Sequence, residues 1–200
     1  MSGNGPGIAA IVLAAGRSTR MGAVNKMLVD IGGKPMLRRV VDSTKASKAG
    51  PVLVVTGHMA PEVSSALSGL DVALVANPDY ATGLASSLKA GIRALSPSCD
   101  GALILLGDMP RIAPEHLDAL VAAFAPDAIV VPVHGGRQGN PVLWPAKYFS
   151  KLLQLDGDAG AKRLIGTHAA HVREVDLDTD AIFADIDTPE ALARLRDGRS

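Results

Sequence analysis

The chain has 200 residues and a single cysteine, and its 20 lysines and arginines balance its 20 aspartates and glutamates. That length supplies the core of one domain without covalent staples, and the zero net charge removes any global field that would recruit nucleic acid or an anionic membrane. The lone Cys99 excludes an intramolecular disulfide and a multi-cysteine metal centre, and fits a reducing, cytoplasmic setting.

Residues 1–7 carry neither a positive charge nor a long apolar segment, so they read as a flexible leader rather than a signal peptide or a membrane span, ahead of a single domain over 8–200. Residues 8–13 form a continuous apolar run and are predicted as a buried strand, followed by the loop Leu13-Ala14-Ala15-Gly16-Arg17-Ser18-Thr19-Arg20-Met21-Gly22, with Lys26 just beyond. A helix is predicted over 36–46, a strand over 51–55, a helix over 61–67, a strand over 72–75, a helix over 84–95 and a strand over 102–106. The helix predicted over 114–124 starts well, because Pro114 suits the first turn and Glu115 its positive end. A strand follows over 128–133. Runs that are apolar throughout indicate strands covered on both faces, and their alternation with helices is a βαβ series with a mostly parallel sheet.

Beyond residue 133 the pattern changes. His134-Gly135-Gly136-Arg137 offers a tight turn, from which 141–144 is expected to return as an antiparallel ribbon, making the sheet mixed. Helices are expected around 148–153 and 159–166 and a strand over 172–175. Asp185-Ile186-Asp187-Thr188-Pro189-Glu190 then reads as a helix start capped by Thr188, with Pro189 at its first position.

The loop after the first strand fits neither of two common phosphate-binding fingerprints. A Walker loop places four residues between its glycines and then Lys-Ser or Lys-Thr, whereas five separate Gly16 from Gly22 and Ala23 follows. A dinucleotide fold needs Gly-x-Gly-x-x-Gly and an acid ending the second strand; here stand Ala14-Ala15-Gly16 and Thr56-Gly57-His58. What remains is a third kind of loop, in which Ala15 and Gly16 admit backbone close to a ligand while Arg17, Arg20 and Lys26 supply charge. A solvated surface loop would show the same cations. Asp108 ends an apolar run, at the carboxyl edge of a predicted parallel strand, where ligands bind in open α/β sheets; a local turn aspartate is the plain alternative.

The loop together with Asn25-Lys26 resembles the signature of the molybdenum cofactor nucleotidyltransferase family. Further matches follow in order: Gly33-Lys34-Pro35, Asn77-Pro78 with Gly83-Leu84-Ala85-Ser86-Ser87-Leu88, Gly107-Asp108-Met109-Pro110, Gly139-Asn140-Pro141, Gly157-Asp158-Ala159-Gly160-Ala161, and the segment from Asp185 to Glu190. Ala15 at the third loop position, with the Gly-Leu-Ala-Ser-Ser-Leu run and Gly-Asn-Pro, is similar to the cytidylyl branch; guanylyl members usually carry glycine there. Val24 departs from the proline common in relatives, and Asp185 and Asp187 from the asparagines common in guanylyl ones.

The resemblance implies a three-layer α/β/α nucleotidyltransferase (Rossmann-like) fold and, as activity, transfer of CMP from CTP to the phosphate of molybdopterin with release of pyrophosphate. No protein nucleophile is required, since such sites work by alignment and charge neutralisation. Backbone from Ala14 to Ser18 would cradle the phosphates, Lys26 and Arg20 would counter their charge, and Leu13 and Ala15 would border the base. Asp108 is the implied Mg2+ ligand, with Asp187 or Asp185 completing the metal site. Asn77, Gly83, Ser86 and Ser87 would face the nucleotide, although helix capping accounts for the serines as well. Gly139 and Asn140 would help form the acceptor pocket, where Arg137 is either a phosphate contact or a plain hairpin residue. The implied partners are CTP, molybdopterin and a molybdoenzyme client. Three other readings stay open: another base, or a sugar or alcohol phosphate acceptor, on the same fold; a non-catalytic carrier of the molybdopterin nucleotide; and a nicotinamide oxidoreductase, disfavoured by the missing fingerprint.

Overall fold

Strand β1 (Ile8–Leu13) is buried at all six positions, and its side chains divide by parity: Ile8, Ala10 and Val12 enter one core, Ala9, Ile11 and Leu13 another. A strand with two buried faces has no polar face to show, which is why its run is apolar throughout. The computed structural model describes residues 6–17, 25–157, 160–186 and 191–193; the first five residues of the expected leader, Ser18, Arg20, Asp187 and the expected helix start at Thr188 lie outside them.

After β1 come the small ribbon β2 (Asp30–Ile31) and β3 (Lys34–Pro35), helix α1 (Met36–Lys45), β4 (Val52–Thr56), α2 (Ala60–Ala66), β5 (Ala73–Ala76) and α3 (Leu84–Arg93). Then follow β6 (Gly101–Leu106), α4 (Pro114–Ala122), β7 (Ile129–His134), β8 (Arg137–Gln138), β9 (Val142–Pro145), α5 (Phe149–Leu152), α6 (Gly160–Thr167) and β10 (Val172–Asp176).

The main sheet runs β10-β7-β9-β6-β1-β4-β5, with β8 attached to β7. All its long pairings are parallel except those made by β9, so the sheet is mixed and mostly parallel, as expected. Leu37, Val40 and Val41 of α1, Val63 of α2, and Leu117 and Leu120 of α4 close one face. Ala85, Leu88 and Ile92 of α3 and Leu152 of α5 close the other, which completes the three-layer α/β/α arrangement. No helix among the described residues is long and apolar enough to cross a membrane.

The antiparallel return expected over 141–144 is found, in β9, which runs antiparallel to both β7 and β6. The turn at Gly135 and Gly136, both at positive φ, first pairs β7 with the short β8, as Val133 with Gln138 and His134 with Arg137. The chain then passes Gly139-Asn140-Pro141 and inserts β9 between β6 and β7. The reason lies in its side chains: Leu143 enters one core while Val142 and Trp144 enter the other, and only an interior strand can bury both.

Candidate active site

The carboxyl ends of β1, β4 and β6 meet at one edge of the sheet, where backbone hydrogen bonds fix the emerging loops to one another. Gly107 N–H donates to the Leu13 carbonyl at 2.9 Å, Ala14 N–H to Val55 at 2.9 Å, and His58 N–H to Ala15 at 3.2 Å. A Cβ at Gly107 would stand 3.0 Å from Leu37 Cδ1 and Met27 Sδ and 3.1 Å from the Leu13 carbonyl, so glycine lets the end of β6 lie against β1. Asp108 therefore emerges beside the first loop.

Lys26 is delivered to the same place by a capped turn. The buried Asn25 accepts from Met27 N–H at 3.1 Å, starting the 3-10 turn Lys26–Leu28, and donates to the His58 carbonyl at 3.4 Å. From that turn Lys26 Nζ forms an ion pair with Asp108 Oδ2, both side chains being largely shielded from solvent. Asp108 is 7% exposed, and its other oxygen, Oδ1, is buried with no hydrogen-bond partner among the described residues. A carboxylate oxygen left without a donor in a buried place is expected to have a partner that protein groups do not supply.

The segment bearing Asp185 is stitched to the loop after β6 at two points. Ile186 N–H donates to the Asp108 carbonyl at 3.0 Å. Arg111 holds Asp180 in a two-pronged pair, 3.1 Å to Oδ2 and 2.6 Å to Oδ1. Asp185 and Asp108 thus line one cleft of about 550 Å3, together with Leu13, Ala15, Gly16, Arg17, Lys26, Gly83 and Ser87. Nine of the residues singled out in the sequence are brought together there. Two carboxylates beside room for a polyphosphate suit a divalent cation that keeps most of its ligands from substrate oxygens and water. The described residues contain no cluster of three or more His, Cys, Asp or Glu able to hold a metal without such help.

The remaining residues fall elsewhere. Ala14 is wholly buried behind the loop, its N–H engaged by β4. Asn77 and Ser86 line a neighbouring recess beside β5. Both amide hydrogens of Asn77 are engaged within the protein, at 2.9 Å to Ser86 Oγ and 3.0 Å to Ser87 Oγ, while its carbonyl oxygen accepts from Asp79 N–H at 3.0 Å. Gly139 and Asn140 line a second compartment of about 190 Å3, walled mainly by Leu88, Ile104, Val131, Val142, Trp144 and Ile165. Leu13, Leu84 and Leu106 belong to both compartments, so the two adjoin. Arg137 lies over the Phe183 ring, 4.5 Å from its centre, and lines neither.

Sequence reasoning passed over Tyr80, Met27 and Leu84 in the first compartment and Gln138 and Lys162 in the second. Leu84 sits in a quoted motif, and Met27, Gln138 and Lys162 each stand directly beside one; Tyr80 carries no such signal, because sheet order rather than sequence distance brings it to the cleft.

Comparison with known proteins agrees with this geometry. The chain is 32% identical to the purine catabolism protein PucB of Bacillus subtilis over 96% of its own length and 97% of that protein. It is 27% identical to the molybdenum cofactor cytidylyltransferase of Escherichia coli, over 90% of this chain and 91% of that one. A partial match, 37% identical over 58% of this chain, reaches the bifunctional protein GlmU of Sorangium cellulosum, of whose length it spans only 26%. Among solved structures, Rv0371c of Mycobacterium tuberculosis in complex with manganese superposes with a TM-score of 0.81 at 26% identity, covering 97% of this chain and 100% of that one. The model of the MobA-like NTP transferase domain matches residues 10–173, from β1 into β10. The chain belongs to the MobA-like NTP transferase domain family and is a nucleotidyltransferase.

Proposed function

We propose that this nucleotidyltransferase moves CMP from CTP to the terminal phosphate of molybdopterin. An oxygen of the acceptor phosphate forms a bond to the α-phosphorus of CTP; the bond from that phosphorus to the bridging oxygen breaks, and pyrophosphate leaves with the electron pair. Lys26 and Arg17 meet the triphosphate, joined by Arg20 of the same loop, and backbone from Ala15 to Ser18 cradles it, the Ala14 N–H being engaged by β4. Leu13 and Ala15 border the base. Asp108 and Asp185, with Asp187 two positions beyond the latter in sequence, would hold Mg2+; bound there, the ion would supply charge neutralisation for the phosphates and the departing pyrophosphate. The rest of the work is alignment, because in-line transfer asks for positioning and electrostatics rather than covalent help.

The observation that carries the choice of acceptor is the character of the second compartment. It adjoins the first cleft across three shared leucines and is walled mainly by aliphatic side chains and Trp144, with Gly139 and Asn140 in its lining. A flat heterocycle can bury its apolar faces against such walls and turn its polar edge to Gln138, Asn140 and Lys162, whereas a hexose presents hydroxyls around its whole rim. The similarity along nearly the whole chain to a molybdenum cofactor cytidylyltransferase supports the same reading.

The deciding experiment measures pyrophosphate release with each of the four ribonucleoside triphosphates, in the presence of Mg2+ and either molybdopterin, a hexose 1-phosphate or an alcohol phosphate. Release with CTP and molybdopterin is expected. Release with a sugar or alcohol phosphate while molybdopterin stays inert overturns the acceptor, and a preference for another triphosphate overturns the base. Tight binding of the cytidylylated product without turnover would mark a carrier instead.

A further inference from the structure

Three loops converge at one end of the nucleotide cleft, and a glycine lies where they touch. A Cβ on Gly57 would stand 2.6 Å from Tyr80 Cβ, 2.8 Å from Ala15 Cβ and 2.8 Å from Tyr80 Cγ. Ordinary packing does not admit such distances, and the atoms involved are the roots of the neighbouring side chains rather than mobile tips. The tyrosine therefore rests directly on the backbone after β4, against the methyl group of Ala15, and it lines the cleft alongside Ala15 and Gly16. The His58 ring flanks it, 6.1 Å between centres at 45°.

The loop that carries Tyr80 is fixed at both ends by one buried side chain. The loop leaves the end of β5, and Asn77 N–H donates to the Thr56 carbonyl at 2.8 Å, which ties its start to the end of β4. The Asn77 carbonyl oxygen takes Asp79 N–H, its amide group holds Ser86 and Ser87 on the first turn of α3, and Thr82 closes back on the Asp79 carbonyl. Gly83 follows at φ +114, a conformation L side chains rarely adopt, which turns the chain from the tyrosine into α3. Tyr80 is thus a large, half-buried ring on a short and internally bonded loop, held at a fixed depth.

We propose that Tyr80 is a specificity-determining residue for the nucleobase: its ring, seated on Gly57 beside Ala15, forms the wall that limits how large a base the cleft accepts. This inference rests on the nucleotidyltransferase reading above and extends it by a residue and a mechanism. A purine exceeds a pyrimidine by a fused five-membered ring, and a phenol side chain occupies at least that much room. Rejection by a wall is discrimination against the wrong ligand rather than added attraction for the right one. The ring is required for it and the hydroxyl is not. Asn77 acts here as a positioning residue, since it holds the loop.

The test is binding of the Mg2+ salts of CTP and GTP, without acceptor, to the unaltered chain, Tyr80→Ala and Tyr80→Phe, by calorimetry and by the shift in melting temperature. Tyr80→Ala is expected to change the ratio of the two affinities by about tenfold or more, mainly by tightening GTP, the scale on which pockets discriminate by size. Tyr80→Phe keeps the ratio of the unaltered chain. Gly57→Ala, which drives the ring toward the cleft, weakens both nucleotides. A ratio untouched by Tyr80→Ala overturns the inference, as does a change produced equally by Tyr80→Phe. An unaltered chain that favours GTP contradicts the cytidylyl reading but leaves the ratio test of Tyr80 in force, so the two fail separately. A chain whose melting responds to no nucleotide overturns both.

Discussion

Lys26 and Asp108 stand 82 positions apart in the chain and meet as an ion pair in the candidate cleft, leaving Asp108 Oδ1 buried and without a hydrogen-bond donor among the described residues. The lysine holds a position that a bound cation would contest, so the two roles separate in variants. Lys26→Met keeps the aliphatic stem and removes the charge; catalytic turnover is expected to fall about 10²-fold or more, as for loss of one preorganised electrostatic group. Binding of Mn2+ alone, followed by calorimetry, should tighten in the same variant because its competitor is gone. Asp108→Asn should lose both turnover and Mn2+ binding. Unchanged Mn2+ affinity in Asp108→Asn would remove this residue from the metal site.

How much of this was legible beforehand follows from which forces are local. The strands at Ile8–Leu13 and Gly101–Leu106 announce themselves because both faces are buried and the run is apolar at every step. The loop and Asp108 could be placed at one sheet edge because carboxyl ends of parallel strands share an edge. The insertion of β9 between β6 and β7 was not legible: the turn at Gly135 specifies only the next pairing, and the interior position is settled by Leu143 and Trp144 finding opposite cores. For the same reason Tyr80, on the far side of β4, could not be connected with Ala15, since their meeting depends on the bare backbone of Gly57.

Gly139 joins the second compartment to the segment that leads to Asp185. Its N–H reaches the Pro132 carbonyl at 2.9 Å, the next N–H reaches Ile182 at 2.9 Å, and a Cβ at 139 would stand 2.5 Å from that same Ile182 carbonyl oxygen. Gly139→Ala must therefore push the segment leading to Asp185. The expected cost is about 1–3 kcal/mol, read as a fall in melting temperature of roughly 2–4 °C per kcal/mol for a chain of this size, with weaker divalent-ion binding. A variant that melts and binds Mn2+ as the parent does would contradict the coupling.

Two helical glycines give opposite predictions for the same substitution. Alanine favours a helix interior over glycine by about 1 kcal/mol, and at Gly166 nothing lies within 4 Å of the added carbon. Gly166→Ala should raise the melting temperature slightly. At Gly91, on the face of α3 pressed to the sheet, the carbon would meet Ile11 Cγ2 at 2.6 Å and Val55 Cγ2 at 3.2 Å. Overpacking costs typically 1–3 kcal/mol and outweighs the propensity gain, so Gly91→Ala should lower the melting temperature in the same thermal scan.

The exposed pair of Lys147 and Asp127, 2.8 Å apart, tests the opposite extreme. The hydrogen bond from Lys147 holds the Asp127 carboxyl below its usual range, and the same bond raises the Lys147 ammonium. By sign, what Asp127 adds to stability is present above the ordinary carboxylate range and fades as pH falls through its lowered value. The lysine's share is present below the ordinary ammonium range and fades as pH rises through its raised value. Both losses lie outside the neutral region, and exposed pairs are screened by water and salt. Asp127→Asn should leave the melting temperature unchanged between neutral pH and mild acid, and a marked drop at neutral pH would show the pair to matter.

The compartment proposed for the acceptor offers a cleaner kinetic separation. Asn140 has its backbone tied to Ile182, but its side-chain amide makes no hydrogen bond among the described residues, although it faces a compartment walled mostly by carbon. Lys162, at the start of α6, lines the same space with no acidic partner among the described residues. Polar groups placed so in an apolar recess are the ones that orient a ligand. Neither supports the core, so Asn140→Ala and Lys162→Met should melt like the parent. Each should raise the KM for the acceptor by roughly tenfold, the worth of one hydrogen bond to a charged or polar ligand group, while the KM for the nucleoside triphosphate stays put. An equal rise in the nucleotide KM would place these two side chains on the wrong substrate, and no change in either would show that the second compartment does not receive the acceptor.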